Sequence, residues 1–196
     1  MIGKGKSISH GVAALEYDLA KEINGQAVAT EIARHELYGC TGAEMVQEMK
    51  PYHIDFPNVK NNCLRFEVSP SIEESATFTD ADWAELGNDF MQRMGLANHQ
   101  YIIIRHSGTE SKKEQAHLHI LANRVSLSGE LYRDNWIGKK ATEAANAAWP
   151  DRRSPASAPR PAHRRRTVAA EIPAPAPHAV HRPPQRNPHV SPPSAH

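Results

Sequence analysis

The 196-residue chain is electrically split: residues 1–149 carry 15 Lys+Arg against 20 Asp+Glu, whereas residues 150–196 carry 8 Arg against Asp151 and Glu171. Twelve of the 15 prolines fall in those last 47 positions, which hold no Lys, Met, Phe or Tyr, so the chain reads as one domain over 1–148 and a disordered tail over 149–196 that lacks the apolar side chains to offset folding entropy. No apolar run approaches the ~20 residues of a membrane span, Met1 to Ser7 precede no apolar signal segment, and Cys40 and Cys63 form no C-x-x-C pair, which points to reduced thiols and a cytoplasmic protein.

Residues 7–22 read as a loop entering a helix, with Val12, Leu15 and Leu19 at helical spacing and Ser9 at the cap position. Thr41 to Lys50 reads as a second helix with a Met45, Val46, Met49 stripe, ended by Pro51. Leu64, Phe66 and Val68 alternate with Arg65, Glu67 and Ser69, the period of a half-buried strand. Thr79 caps a helix from about Asp80 to Met94, with acids in its first turn and Gly95 behind it. Tyr101-Ile102-Ile103-Ile104-Arg105 is a central strand, 107–115 a polar loop, and Ala116 to Val125 a strand completing an antiparallel hairpin. Leu131-Tyr132-Arg133 reads as a short strand, and Asp134 to Ala148 as a helix. Helices and strands without a regular β-α-β rhythm predict an α+β fold: a central antiparallel β-sheet with helices packed on it.

The chemistry concentrates in His106 and in His117-Leu118-His119-Ile120-Leu121-Ala122-Asn123-Arg124. Side chains at i and i+2 of a strand share a face, so His117 and His119 point together, with Leu121 and Asn123 behind them. His106, ending the neighbouring strand, is placed to join them. Three imidazoles leave coordination positions open, as a catalytic metal site requires. The competing reading is a histidine-rich, half-polar sheet face with no ion.

A histidine, a polar loop and then H-x-H-x-x-x-N-R resemble the three-histidine motif of the relaxase/mobilisation nucleases of the HUH endonuclease superfamily. Lys4-Gly5-Lys6-Ser7 followed by Leu15-Glu16-Tyr17 looks like that family's first motif, in which a helix presents a tyrosine, and Asn135 to Lys140 looks like the segment after its metal strands. The resemblance implies an enzyme that nicks one strand of supercoiled or single-stranded DNA at an origin of transfer in plasmid or transposon mobilisation. A tyrosine hydroxyl attacks the scissile phosphate, leaving a 5′-phosphotyrosyl link and a free 3′-hydroxyl. On this reading Tyr17 is the nucleophile, with Tyr38 its rival. His106, His117 and His119 hold a divalent ion, Mg²⁺ or Mn²⁺ by family habit, although imidazole softness alone points to Zn²⁺. Asn123 is a hydrogen-bonding support behind the ligands. Lys4, Lys6, Arg105, Lys112, Lys113, Arg124, Lys139 and Lys140 form a basic groove for DNA on an otherwise acidic body, and Trp136 is a base-stacking or helix-anchoring residue. The implied partners are origin DNA, accessory mobilisation proteins and a coupling protein, in a bacterial cytoplasm. A non-cleaving DNA-binding accessory fragment and an unrelated three-histidine metallohydrolase are the alternatives. The abrupt change after Ala148 further suggests a truncated domain whose tail is a frameshift product.

Overall fold

The computed structural model describes residues 1–108 and 115–148. The expectations for residues 149–196 lie outside the described residues, as do Lys112 and Lys113.

Among the described residues seven strands and five α-helices follow one another as β1 (Ile2–Ile8), α1 (Gly11–Leu19), β2 (Glu22–Ile23), β3 (Gln26–Ala27), β4 (Ala29–His35), α2 (Gly42–Met49), β5 (Cys63–Ser69), α3 (Ile72–Ser75), α4 (Asp80–Arg93), β6 (His99–His106), β7 (His117–Ser126) and α5 (Ile137–Ala148). A 3-10 turn, Lys50–His53, extends α2. Five strands form one sheet in the order β1-β5-β7-β6-β4, antiparallel throughout, and β2 and β3 make a separate small hairpin. The expected α+β architecture is thus present. Among the described residues no helix is long and apolar enough to cross a membrane.

Both sheet faces are covered, and strand parity sorts the side chains between them. Leu64, Phe66, Val68, Ile103, Leu118, Ile120 and Ala122 pack with Trp83, Leu86 and Phe90 of α4 and the alanines of α5. On the other face Cys63, Ile102, Ile104 and Leu121 meet Leu15 of α1 and Met45, Val46 and Met49 of α2. The alternation that predicted β5 therefore carries through to its burial. Capping boxes at Thr41 and Thr79 set the starts of α2 and α4, and Gly95 takes the left-handed conformation behind α4 (φ 74°).

The structure departs from the sequence reading at the N-terminus. The Gly-Lys alternation of residues 3–6, to which the sequence reading assigned no element, belongs to an edge strand that runs on through Ser7 and Ile8 of the expected loop. Its glycines are small because α5 lies directly on them: a Cβ on Gly3 would stand 2.2 Å from the Ala141 carbonyl oxygen. The first helix starts at Gly11 with His10 at its cap and no side-chain cap bond, so Ser9 does not cap it. Leu131 makes only an isolated bridge to Val125 in place of a strand. The last helix begins at Ile137, because Asp134 is engaged by Ser7 and Arg124. Strands β2, β3 and β4 have no counterpart in the sequence reading, since the polar run of 22–35 shows no clean alternation.

Candidate metal centre

Antiparallel pairing sets the site. In the β6–β7 register His106 lies opposite His117, and Ile104 opposite His119. All three histidines consequently emerge on the face covered by α1. Their ring centroids are 4.4 to 5.4 Å apart, and one ligand nitrogen from each lies within 4.8 Å of the others. His106 and His117 are buried and His119 is half-buried.

Backbone carbonyls orient two of the rings. His106 Nε2 donates to the Asp18 carbonyl oxygen (2.7 Å), and His117 Nδ1 donates to that of Gln115 (3.1 Å). Each bond fixes a tautomer and leaves the second nitrogen with a free lone pair, the arrangement ligating histidines adopt. His117 Nε2 and His119 Nε2 are 3.1 Å apart. Burial lowers the pKa of His106, and burial together with the neighbouring rings, Arg65 and Lys4 takes His119 down to about 2. Neutral imidazoles in close approach suit a cation and would repel one another if protonated. The donor set therefore fits a divalent metal.

Asp18 and Arg65 complete the surroundings, and neither was singled out in the sequence. Asp18 is buried on α1, and its carboxylate receives both Arg65 Nε (3.1 Å) and Arg65 Nη2 (2.5 Å). Burial pushes the Asp18 pKa up, and Arg65 opposes that shift. Arg65 also reaches His119 Nδ1 at 3.4 Å. Through this pair, and through the Asp18 carbonyl on His106, α1 is tied to the histidine cluster. The signal available in the sequence was a carboxylate at position 18, three residues after Leu15 and beside Leu19 on the apolar stripe.

Tyr17 precedes Asp18 and is 57 % exposed, and its hydroxyl accepts a hydrogen bond from Lys21 Nζ at 2.7 Å. Tyr38 sits at the other end of the sheet. It follows His35, which pairs with Tyr101, five residues or roughly 17 Å along β6 from His106. Its hydroxyl donates to Glu36, and that carboxylate raises its pKa.

Several expected site residues are directed elsewhere. Asn123 has the right parity but stands four residues, roughly 13 Å, along β7 from His119. It is fully buried, accepting from His53 Nε2 (2.7 Å) and the Val125 amide and donating to the Met49 carbonyl and Gln100. It anchors the 3-10 turn and does not support the metal ligands. Arg105 and Arg124 have the opposite parity to the histidines. Arg105 pairs with Asp80 of α4, and Arg124 binds Asp134 and the carbonyls of Asn61 and Tyr132, so both brace the structure on the far face. Lys139 lies near Glu143, while Lys140 caps the Arg133 carbonyl and covers the Tyr132 ring. Lys4 and Lys6 share the histidine face: Lys4 pairs across β1–β5 with Glu67, which pairs with His119, and Lys6 stands opposite Arg65. A cavity of about 200 Å³ runs between these lysines, Arg65 and His119.

The fold and the site together define an α+β protein whose antiparallel sheet presents a three-histidine centre suited to a divalent metal. The family described as "Relaxase: MobA/VirD2-like, nuclease domain" matches residues 17–148, and the chain belongs to that relaxase family. The match contains Tyr17, Asp18, Arg65 and all three histidines, whereas Lys4 and Lys6 lie before it. No curated protein matches the chain.

Proposed function

We propose that the protein is a DNA-nicking relaxase that cuts one strand at an origin of transfer, with Tyr17 as the nucleophile. The observation that carries the reading is the convergence of His106, His117 and His119 beneath the helix that bears Tyr17. The Tyr17 oxygen forms a bond to the scissile phosphorus as the bond to the 3′-oxygen breaks. The products are a 5′-phosphotyrosyl link and a 3′-hydroxyl, and reversal reseals the strand. Lys21 Nζ donates to the Tyr17 hydroxyl and so places a positive charge beside the attacking oxygen. The hydrogen bond from Tyr38 to Glu36 works against ionisation, a second reason to assign attack to Tyr17.

His106, His117 and His119 would hold a divalent ion, Mg²⁺ or Mn²⁺ in preference to Zn²⁺, which would supply charge neutralisation to the scissile phosphate. The two carbonyl contacts and the Asp18–Arg65 pair keep the imidazoles aimed and the α1 backbone registered against them. Lys4 and Lys6 favour the approach of a phosphodiester backbone from the β1 side. The natural substrate is single-stranded or supercoiled origin DNA in a bacterial cytoplasm, engaged together with accessory mobilisation proteins and a coupling protein.

A denaturing-gel assay tests this reading. Purified chain, Mn²⁺ or Mg²⁺, and labelled single-stranded candidate origin oligonucleotides should give a covalent protein–DNA adduct. The adduct should disappear in Tyr17→Phe, fall at least 100-fold or so in His117→Ala, and persist in Tyr38→Phe. Persistence in Tyr17→Phe would overturn the assignment of the nucleophile. Salt-dependent DNA binding without an adduct under any metal would favour a non-cleaving accessory role.

A further inference from the structure

We propose that Arg65 is a positioning residue that sets the metal affinity of the cluster, by holding the His119 proton on the nitrogen that must ligate; this rests on the divalent-metal reading of the three histidines. Its counterpart is Asp18, whose carboxylate takes up that proton's new position when an ion is bound. Neither side chain has a part in ligation itself.

The hydrogen bonds decide where each ring proton sits. A guanidinium only donates, so Arg65 Nη2, 3.4 Å from His119 Nδ1, requires a lone pair on that nitrogen. His119 is neutral, kept so first by burial and then by the neighbouring rings and cations, so its one ring proton lies on Nε2. That nitrogen is 3.1 Å from His117 Nε2, and the His117 proton is on Nδ1, where it donates to the Gln115 carbonyl. The network therefore runs in one direction: Arg65 donates to His119, His119 to His117, and His117 to the backbone. It is complete without an ion, and it places a proton between two nitrogens that ligation needs open.

His119 differs in this from its two partners, which each give one N–H to a backbone carbonyl and keep the other nitrogen open. Ligation through His119 Nε2 moves its proton to Nδ1, with none gained or lost. An Nδ1–H beside Arg65 Nη2 sets donor against donor. The acceptor at hand is Asp18 Oδ1, 3.8 Å from Nδ1 and occupied by Arg65 Nη2 at 2.5 Å. Arg65 can yield that oxygen while its Nε stays on Asp18 Oδ2 (3.1 Å), because it borders a cavity of about 200 Å³ into which the guanidinium can pivot. A carboxylate on the outer N–H of a ligating histidine fixes the ring and raises its basicity. The two members of the pair thus pull in opposite directions: Arg65 favours the ion-free network, and Asp18 the ligating tautomer.

The test uses the full chain. Proton–nitrogen correlation spectra of the histidine rings report the tautomer, with diamagnetic Zn²⁺ as the probe ion. Metal-free wild type should carry the His119 proton on Nε2, and the Zn²⁺-loaded chain should carry it on Nδ1. Arg65→Met removes the donors and should shift the metal-free ring to Nδ1–H, against the freed Asp18 carboxylate. By titration calorimetry the same variant should bind Mn²⁺ about 10-fold more tightly than wild type, whereas loss of a mere brace would weaken binding. Tighter binding with the proton still on Nε2 reports relief of charge repulsion alone and overturns the proposal, as does binding no tighter than wild type. If Arg65→Met does not fold, the wild-type spectra decide: a His119 proton on the same nitrogen with and without Zn²⁺ overturns it. Wild type that binds neither ion overturns the proposal and the metal reading together. The expected tautomers in a chain that forms no DNA adduct support the proposal and count against the nicking reading only.

Discussion

The metal centre is assembled from groups that are costly to bury and are therefore committed to one another. Asp18 and Arg65 are the clearest case. Removing the carboxylate leaves the guanidinium, only 21 % exposed, facing three imidazoles without a counter-charge. Asp18→Ala should lower stability by roughly 3 kcal/mol, read from the urea midpoint, and should loosen metal binding as α1 lifts. The histidines make a pH prediction with a defined sign. Burial lowers the folded-state pKa of His99, His106 and His119, so unfolding takes up protons once the solution falls below the ordinary histidine value near 6.5. Stability is full above that value and declines below it. Asp18, shifted upward, acts in the opposite sense but is one group against three. The metal-free chain should therefore show a lower urea midpoint at about pH 5.5 than at about pH 7.5.

Strands and helices in this protein meet through positions that tolerate no extra atom. Gly3 of β1 lies under Ala141 and Ala145 of α5, and Thr142 donates to the Gly3 carbonyl from the same helix. An added Cβ meets backbone, which cannot swing aside. Gly3→Ala should cost about 1–3 kcal/mol, measured by chemical unfolding, because α5 must back away from the strand. The same logic seats α1: Gly11 stands where a Cβ would lie 2.6 Å from Cys63 Sγ. Close approach there brings the Asp18 carbonyl within reach of His106, so α1 is positioned against the histidines by a small residue seven positions before Asp18.

At the scale of the domain, an ion bound by three strand-held imidazoles should stabilise the whole fold, since the unfolded chain does not preserve the cluster. Mn²⁺ at about 100 times its Kd should add about 2.7 kcal/mol, visible as a higher thermal midpoint, and His106→Ala should abolish the gain. Comparing Mn²⁺, Mg²⁺ and Zn²⁺ in that assay ranks the ions directly. The sheet also separates labour between its faces. One carries the apolar layer under α4 and α5, and the other combines the α2 core with the three-histidine cluster, so the cluster and the larger core do not compete for the same positions.

Much of this was legible before any coordinates. The two-residue period of a strand is enough to align His117 with His119, and the polar loop 107–115 between two apolar runs suggests their antiparallel pairing as a long-looped hairpin. That period also says that Arg105 must face away from His106 and Arg124 away from Asn123; grouping them with the histidines ignored parity. Local signals fixed the starts of α2 and α4 because capping boxes are satisfied within four residues. What needed three dimensions is what joins distant residues. The Asp18–Arg65 pair spans 47 positions, the glycines of β1 make sense only beneath α5, and Asn123 shares the histidine face yet lies too far along its strand to serve it. Periodicity assigns a side chain to a face, whereas its distance from a site along that face follows from register, which tertiary pairing sets.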